Sequence, residues 1–265
     1  MNFYRNKTAL VTGASSGIGA EFARVLARKG CDLILVARRE DELSALADEL
    51  ITRHKIKAEF IARDLSDEWA ARAVFDEVNT RELRVDILIN NAGFATQGDF
   101  ETTNADLLHR QIMLNVMAVV DLTRAFLPAM IERKSGAIVN VASLAGFMPL
   151  PTQAVYGATK AFVLSWSEAL WAENRGRGVK VLALCPGATD TKFFERVGRD
   201  VAASKDTPQF VVQTAIKALN RGDSTVVAGR TNALVAHLLP RILTRQAMAL
   251  ATKRVMEKFW ASDTQ

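Results

Sequence analysis

Cysteine and histidine are scarce in this 265-residue chain, with two of the first and three of the second. Cys31 and Cys185 form no metal or redox motif, and both lie beside apolar runs, so buried free thiols are expected. His54, His109 and His237 fall in helical, partly charged surroundings with no metal-ligand spacing between them, so no metal is expected. Low-complexity tracts, long linkers and internal repeats are missing, and the length suits a single domain around one large core. Apolar content of 49% and charged content of 24% are ordinary for a globular protein. A strand begins by Lys7, leaving no room for a cleavable leader, and with the free thiols this sets the expectation of a cytoplasmic protein.

A large charge excess is missing as well. The net charge is +5, and much of it belongs to the tail, where Arg230, Arg241, Arg245, Lys253, Arg254 and Lys258 face Glu257 and Asp263. With no DNA- or RNA-binding motif beside it, this balance argues against a nucleic-acid partner. A serine nucleophile is also unsupported. The segment Gly13–Gly17 departs from Gly-x-Ser-x-Gly by one position, and no His/Asp pair is placed to activate it.

What is present is alternation. Strand-like runs at 7–12, 32–37, 59–62, 85–90, 137–143, 179–185 and 224–229 are separated by helical patterns at 17–30, 67–79, 103–133, 153–174 and 208–220. Crossover connections between such strands are right-handed and make them parallel. The expected fold is therefore α/β, a single-domain Rossmann-type doubly wound sheet of about seven strands with helices on both faces. Residues 1–230 would form this domain. Residues 231–265 would be a helical extension packed on or beside it, with Pro240 starting a new helix or kinking this one.

Ligands of such sheets bind beyond the C-terminal strand ends, and the polar and glycine-rich signals of this chain sit there. Gly13, Ser15, Ser16, Gly17, Ile18 and Gly19 follow the first strand and open the first helix. Glycines at those points let the backbone approach a pyrophosphate at the helix N-terminus. The second strand ends in Ala37-Arg38-Arg39, where an NAD-preferring fold usually carries an acid. Guanidinium groups there suit a 2′-phosphate, which favours NADP(H) over NAD(H). Arg38 is the better candidate, with Arg39 stacking or left in solvent.

Tyr156 and Lys160, four residues apart in a helical run, share a face. An ammonium beside a phenol lowers a pKa that is about 10 when free. Asn115 lies among apolar neighbours and must find buried partners.

Together TGASSGIG (12–19), Asp64-Leu65, NNAG (90–93), Asn115, Ser143, YGATK (156–160) and PG (186–187) resemble the classical short-chain dehydrogenases/reductases in order and spacing. The resemblance implies that Ser143 polarises a substrate carbonyl and Tyr156 acts as the acid or base. Lys160 would lower the tyrosine pKa and hold the nicotinamide ribose, and Asn115 would hold a water in a proton relay. Asp64 and Leu65 would meet the adenine side, or Asp64 would cap a helix. Asn91, Ala92 and Gly93 would line the cofactor, with Asn90 tying the central strands together. Pro186, Gly187, Thr189 and Thr191 would meet the carboxamide or phosphates, unless the threonines cap a helix.

Phe94, Leu144, the run from Phe147 to Leu150, Val155 and Phe193 are the expected substrate pocket, with Phe194, Lys192, Arg196 and Arg199 nearby in the 188–206 loop. Their apolar character suggests a lipid-, acyl- or steroid-like carbonyl or alcohol. The resemblance also implies a homodimer or homotetramer formed through the helices at 103–133 and 153–174. The basic tail could lie on an anionic membrane surface, cover the pocket or meet a partner subunit; ordinary packing is the more frequent outcome. Two other functions compete with a carbonyl reductase. A sugar-nucleotide epimerase or dehydratase would carry a different glycine spacing and a larger C-terminal domain, and a silent cofactor sensor would carry a damaged site.

Overall fold

The computed structural model describes residues 3–193 and 205–261. Seven parallel strands form one sheet in the order β3-β2-β1-β4-β5-β6-β7. They are β1 (Thr8–Thr12), β2 (Asp32–Ala37), β3 (Ala58–Ala62), β4 (Ile87–Asn90), β5 (Gly136–Val141), β6 (Val179–Cys185) and β7 (Thr225–Val227). Continuous apolar runs such as DLILVA and ILIN are buried on both faces, as a parallel sheet covered by helices requires.

On one face lie α1 (Gly17–Arg28), α2 (Glu40–His54) and α7 (Pro208–Arg221), whose Phe22, Leu43, Leu50 and Val211 are fully buried against the strands. On the other lie α3 (Ala70–Thr80), α5 (Ala118–Glu132) and the end of α6 (Ala154–Glu173), around Val74, Leu122 and Met130. Truncating a buried aromatic such as Phe22 to alanine costs about 3–5 kcal/mol. The strand and helix runs expected from periodicity are all found, but α2 was not among them. Its buried Leu43, Leu46, Ala47 and Leu50 keep helical spacing behind an opening turn of Glu40, Asp41 and Glu42.

Two local departures matter for the site. The helical run at 103–133 is broken in register: α4 (Ala105–Ile112) passes into a π-helical turn at Met113–Met117 before α5 begins. Such bulges rotate one residue out of the i→i−4 ladder and concentrate at functional positions, and this one carries Asn115. In the tail, Pro240 neither starts a helix nor ends one. It lies inside α8 (Arg230–Ile242), where Leu243 still donates to the Leu239 carbonyl at 3.0 Å. The chain turns only at extended Leu243, and α9 (Arg245–Ala261) starts after Thr244 accepts from the Ala247 N–H at 3.2 Å.

Strand order reverses between β1 and β4, since β1 leads outward to β2 and β3 while β4 leads to β5, β6 and β7. The crevice above their C-terminal ends is where such folds bind a ligand.

Candidate active site

The crevice is a cleft of about 960 Å³. Its first wall is the turn after β1. Gly13 and Gly17 have φ of +64° and +57°, values that glycine alone adopts cheaply. A Cβ on Gly19 would stand 2.3 Å from the Gly13 carbonyl oxygen. Gly19 thus lets helix and loop touch, and unlike Gly13, Ser15, Ser16, Gly17 and Ile18 it does not line the cleft itself. Ser16 makes no capping bond and the first turn of α1 holds no acid, so the positive end of this helix is unneutralised by its own side chains. A pyrophosphate fits that cradle in both shape and charge.

Asn91 locks the second wall to the first. Its Nδ2 donates to the Thr12 and Gly13 carbonyls at 2.9 and 3.3 Å, while Thr12 Oγ1 accepts from the N–H groups of Asn91 and Ala92. Asn90 points into the sheet and donates to Asn140 Oδ1 at 2.9 Å across β4 and β5, the structural tie expected of it.

At the end of β2 the two arginines differ from expectation. Arg39 is not left in solvent: it donates to Ser15 Oγ at 2.9 Å and Ser16 Oγ at 3.2 Å, and pairs with Glu42. Arg38 is the exposed one and lies 3.5 Å from Asp64 Oδ2. Asp64 also accepts from Ser66 and from Arg110, a residue on α4 that sequence reading passed over. Burial, the largest influence, pushes this carboxyl upward, but the Ser66 hydrogen bonds and the two arginines outweigh it and hold it below its usual range. Leu65 beside it is buried and lines the cleft.

Ser143, Tyr156 and Lys160 meet at the cleft floor. Ser143 lies two residues beyond β5, accepts from the Ala145 N–H at 3.1 Å to cap a short 3₁₀ turn (Leu144–Phe147), and stands near enough to the Tyr156 phenol to lower its pKa. Lys160 is buried, donates to the Val141 carbonyl at 2.8 Å, and lies 5.9 Å from the Tyr156 ring centre. The pKa values run opposite to the expected lowering of the phenol. Burial pushes Tyr156 up to about 12, only partly opposed by the Ser143 hydroxyl, and brings Lys160 down to about 8. In this protein desolvation outweighs the ammonium–phenol attraction, because it penalises both charged forms.

Asn115 is wholly buried, and its side chain bonds the loop rather than facing the cleft. Oδ1 accepts from the Phe94 N–H at 3.1 Å, and Nδ2 donates to the Phe94 carbonyl and to Thr159 Oγ1. Both amide hydrogens are thereby committed, so the expected water would need a different donor. A Cβ on Gly93 would lie 3.0 Å from Asn115 Oδ1 and 3.5 Å from Lys160 Nζ, which shows how closely the loop, Asn115 and Lys160 pack.

Beyond β6, Pro186, Gly187, Thr189 and Thr191 all line the cleft. The threonine hydroxyls are used locally, Thr189 donating to the Gly187 carbonyl and Thr191 accepting from the Phe193 N–H in the manner of a cap.

Of the residues expected around a substrate, Phe94, Leu144 and Phe193 line the cleft, with the Phe193 ring 5.8 Å from Tyr156. Phe147 and Val155 do not belong to it. The 3₁₀ turn carries Phe147 onto His237, ring centres 5.6 Å apart, and Val155 faces a separate small pocket with Gly98 and Phe100. Lys192 is exposed outside the cleft; Phe194, Arg196 and Arg199 lie outside the described residues. Met148 and Leu150, of the expected 147–150 run, do line the cleft, and Gln153 lines it beside them. The far wall is the tail, with Val235 and Leu239 of α8 and Met248, Thr252, Val255 and Met256 of α9. Thr252 donates to the Pro149 carbonyl at 2.8 Å, fastening that wall to the floor.

A glycine-cradled nucleotide crevice merging with a Ser-Tyr-Lys floor defines an oxidoreductase of the NAD(P)-dependent class. Residues 7–202 match the short chain dehydrogenase family, and the chain belongs to it. It is 42% identical over 199 residues to sulfoacetaldehyde reductase 2 of Chromohalobacter salexigens, covering 74% of this chain and 78% of that one. A short-chain dehydrogenase from Sphingobium yanoikuyae, solved in complex with NADPH, superposes with TM-score 0.80 at 35% identity and 98% coverage of both chains. The bulky-bulky ketone specific alcohol dehydrogenase from Comamonas testosteroni gives TM-score 0.77 at 30% identity, covering 98% of this chain and 97% of that one.

Proposed function

We propose that this protein is an NADP(H)-dependent oxidoreductase that interconverts a carbonyl and an alcohol on a mostly apolar, lipid-, acyl- or steroid-like substrate. The observation that carries the proposal is one continuous cleft holding the glycine cradle, the Ser143–Tyr156–Lys160 floor and an apolar wall. The nicotinamide, when bound, supplies or accepts the hydride.

The chain's own residues do the rest. The Ser143 hydroxyl orients the substrate oxygen beside the phenol. Tyr156, pushed up to about 12 by burial, is a neutral phenol at neutral pH, the form that gives its proton to a carbonyl oxygen during reduction. Lys160, near 8, exchanges protons readily in the physiological range and can recharge the phenol. Ala37 in the acidic-residue position, followed by Arg38 and Arg39, supports recognition of a 2′-phosphate. The bulky-ketone preference named for the Comamonas relative supports a bulky substrate.

A homo-oligomer in the cytoplasm is part of the proposal. The run Ala105–Glu132 is long and apolar enough to cross a membrane by length and composition, with 33% of its most apolar window buried. Ile112, Met117 and, on α6, Phe162 are exposed there, which supports cover by a second copy.

The test follows absorbance of the reduced nicotinamide against a panel of aliphatic, acyl and steroid ketones, with NADPH and NADH in parallel. Turnover of large apolar ketones with NADPH preferred is expected. Equal or better use of NADH overturns the arginine assignment, and tight NADPH binding without turnover of any carbonyl favours a sensor.

A further inference from the structure

We propose that the outward face of α8 and α9 seats the protein on an anionic lipid surface, with the cleft opening beside the contact. α8 has two apolar rows, and the fold uses only one; α9 adds a single exposed leucine among basic residues. On α8, Ala236 is buried and Val235 and Leu239 line the cleft. Leu234, Leu238 and Ile242, spaced four residues apart, form a separate row with 62%, 43% and 64% of their surfaces exposed. On α9, Met248, Thr252 and Met256 face inward while Leu250 is 58% exposed, one turn before Lys253 and Arg254.

The charge around these residues chooses the occupant. Arg241 falls within the Leu234–Ile242 row, and Arg245 follows at the start of α9. Arg241, Arg245 and Arg254 are exposed and, among the described residues, have no carboxylate within ion-pair distance; Lys253 has only Glu257, at 4.0 Å. A second copy placed here by a two-fold axis would bring like charges together, which disfavours it. A neutral apolar partner would leave the cations unanswered. An anionic bilayer answers both features, taking the leucine row below the headgroups while the arginine stems reach up to the phosphates. Val255 is 61% exposed and also lines the cleft, so the mouth lies next to the proposed contact and an apolar substrate could pass between lipid and site.

Co-sedimentation of the full chain with vesicles of mixed phosphatidylglycerol and phosphatidylcholine tests this, with pure phosphatidylcholine vesicles alongside. Binding to the anionic vesicles, weakened by high salt and weak or absent on the neutral ones, is expected. The Arg241→Gln/Arg245→Gln double variant changes only exposed side chains, and should bind roughly 25-fold less tightly, at about 1 kcal/mol for each basic residue near such a surface. Leu234→Asp/Ile242→Asp, outside the cleft, should abolish binding with thermal unfolding and NADPH affinity unchanged. Failure to bind anionic vesicles, or equal binding to both kinds, overturns the proposal. So does an oligomer in light scattering that Leu234→Asp/Ile242→Asp dissociates, since that assigns the face to a second copy.

Discussion

The two halves of the cleft are built by different means. The cofactor half is made of backbone. Gly13 and Gly17 hold left-handed conformations, the Gly19 position touches the Gly13 carbonyl, and Asn91 and Thr12 stitch the 91–92 loop to the end of β1. The substrate half is made of side chains. Apolar groups from the 144–150 segment, α8 and α9 face one another there, with Thr252–Pro149 fastening the α9 wall to the floor. A wall of backbone hydrogen bonds cannot be altered at one position without moving its neighbours, whereas a wall of leucines and methionines tolerates exchange of volume. This difference lets one scaffold keep its cofactor while its substrate changes.

The largest effect should come from the floor that both halves share. Tyr156→Phe is expected to lower turnover by about 10²–10⁴-fold while cofactor affinity, measured by titration calorimetry, stays the same. Unchanged turnover would remove the phenol from the mechanism.

Lys160 tests how far burial governs that floor. Folding brings its pKa from 10.5 down to about 8. Between those values the unfolded chain holds a proton that the folded chain has released, so this group's contribution to stability rises with pH across the window and is lost again as pH falls through 8. The full effect is about 3 kcal/mol at roughly 1.4 kcal/mol for each pH unit. Tyr156, raised from 10 to about 12, acts in the other direction above pH 10. Lys160→Met should therefore lose activity yet be more stable than the parent at pH 7. Denaturant midpoints should show that advantage shrinking toward pH 10; an advantage constant with pH would mean that the ammonium is not buried uncharged-preferring.

Gly19→Ala separates a backbone wall from a side-chain wall. Its Cβ meets a carbonyl oxygen at 2.3 Å and Asn91 Nδ2 at 2.5 Å, so about 1–3 kcal/mol of stability and at least tenfold in NADPH affinity should be lost together. Leu239→Ala, on the substrate side, should leave NADPH affinity untouched. It should lower kcat/KM for a large apolar ketone by about tenfold, the scale of a few methylenes in an apolar pocket. A comparable loss of cofactor binding in Leu239→Ala would show that the halves are one unit.

The legible parts of this protein are those with local causes. Gly13 and Gly17 announce themselves because other residues adopt their left-handed turns only at a cost, Gly19 because a side chain would strike the Gly13 carbonyl, and Tyr156 and Lys160 meet because a helix brings every fourth residue round. Where one helix carries two apolar rows, periodicity is silent. Nothing in residues 230–261 tells that Val235 and Leu239 face the cleft while Leu234 and Leu238 face away. Phe147 and Val155 misled for a related reason. They are near Tyr156 in sequence, but a 3₁₀ turn and the first turn of α6 aim them at His237 and at the loop carrying Gly98.

By itself the sequence determined the sheet, the glycine turn after β1 and the shared helix face of Tyr156 and Lys160, since periodicity, glycine sterics and helical spacing act over a few residues. Tertiary structure alone decided the rest. It placed Arg39 on Ser15 and Ser16, closed the cleft with the tail, and made burial rather than the Lys160 charge the main influence on Tyr156. Solvent exclusion and long-range contact depend on the whole fold, and no local pattern encodes them.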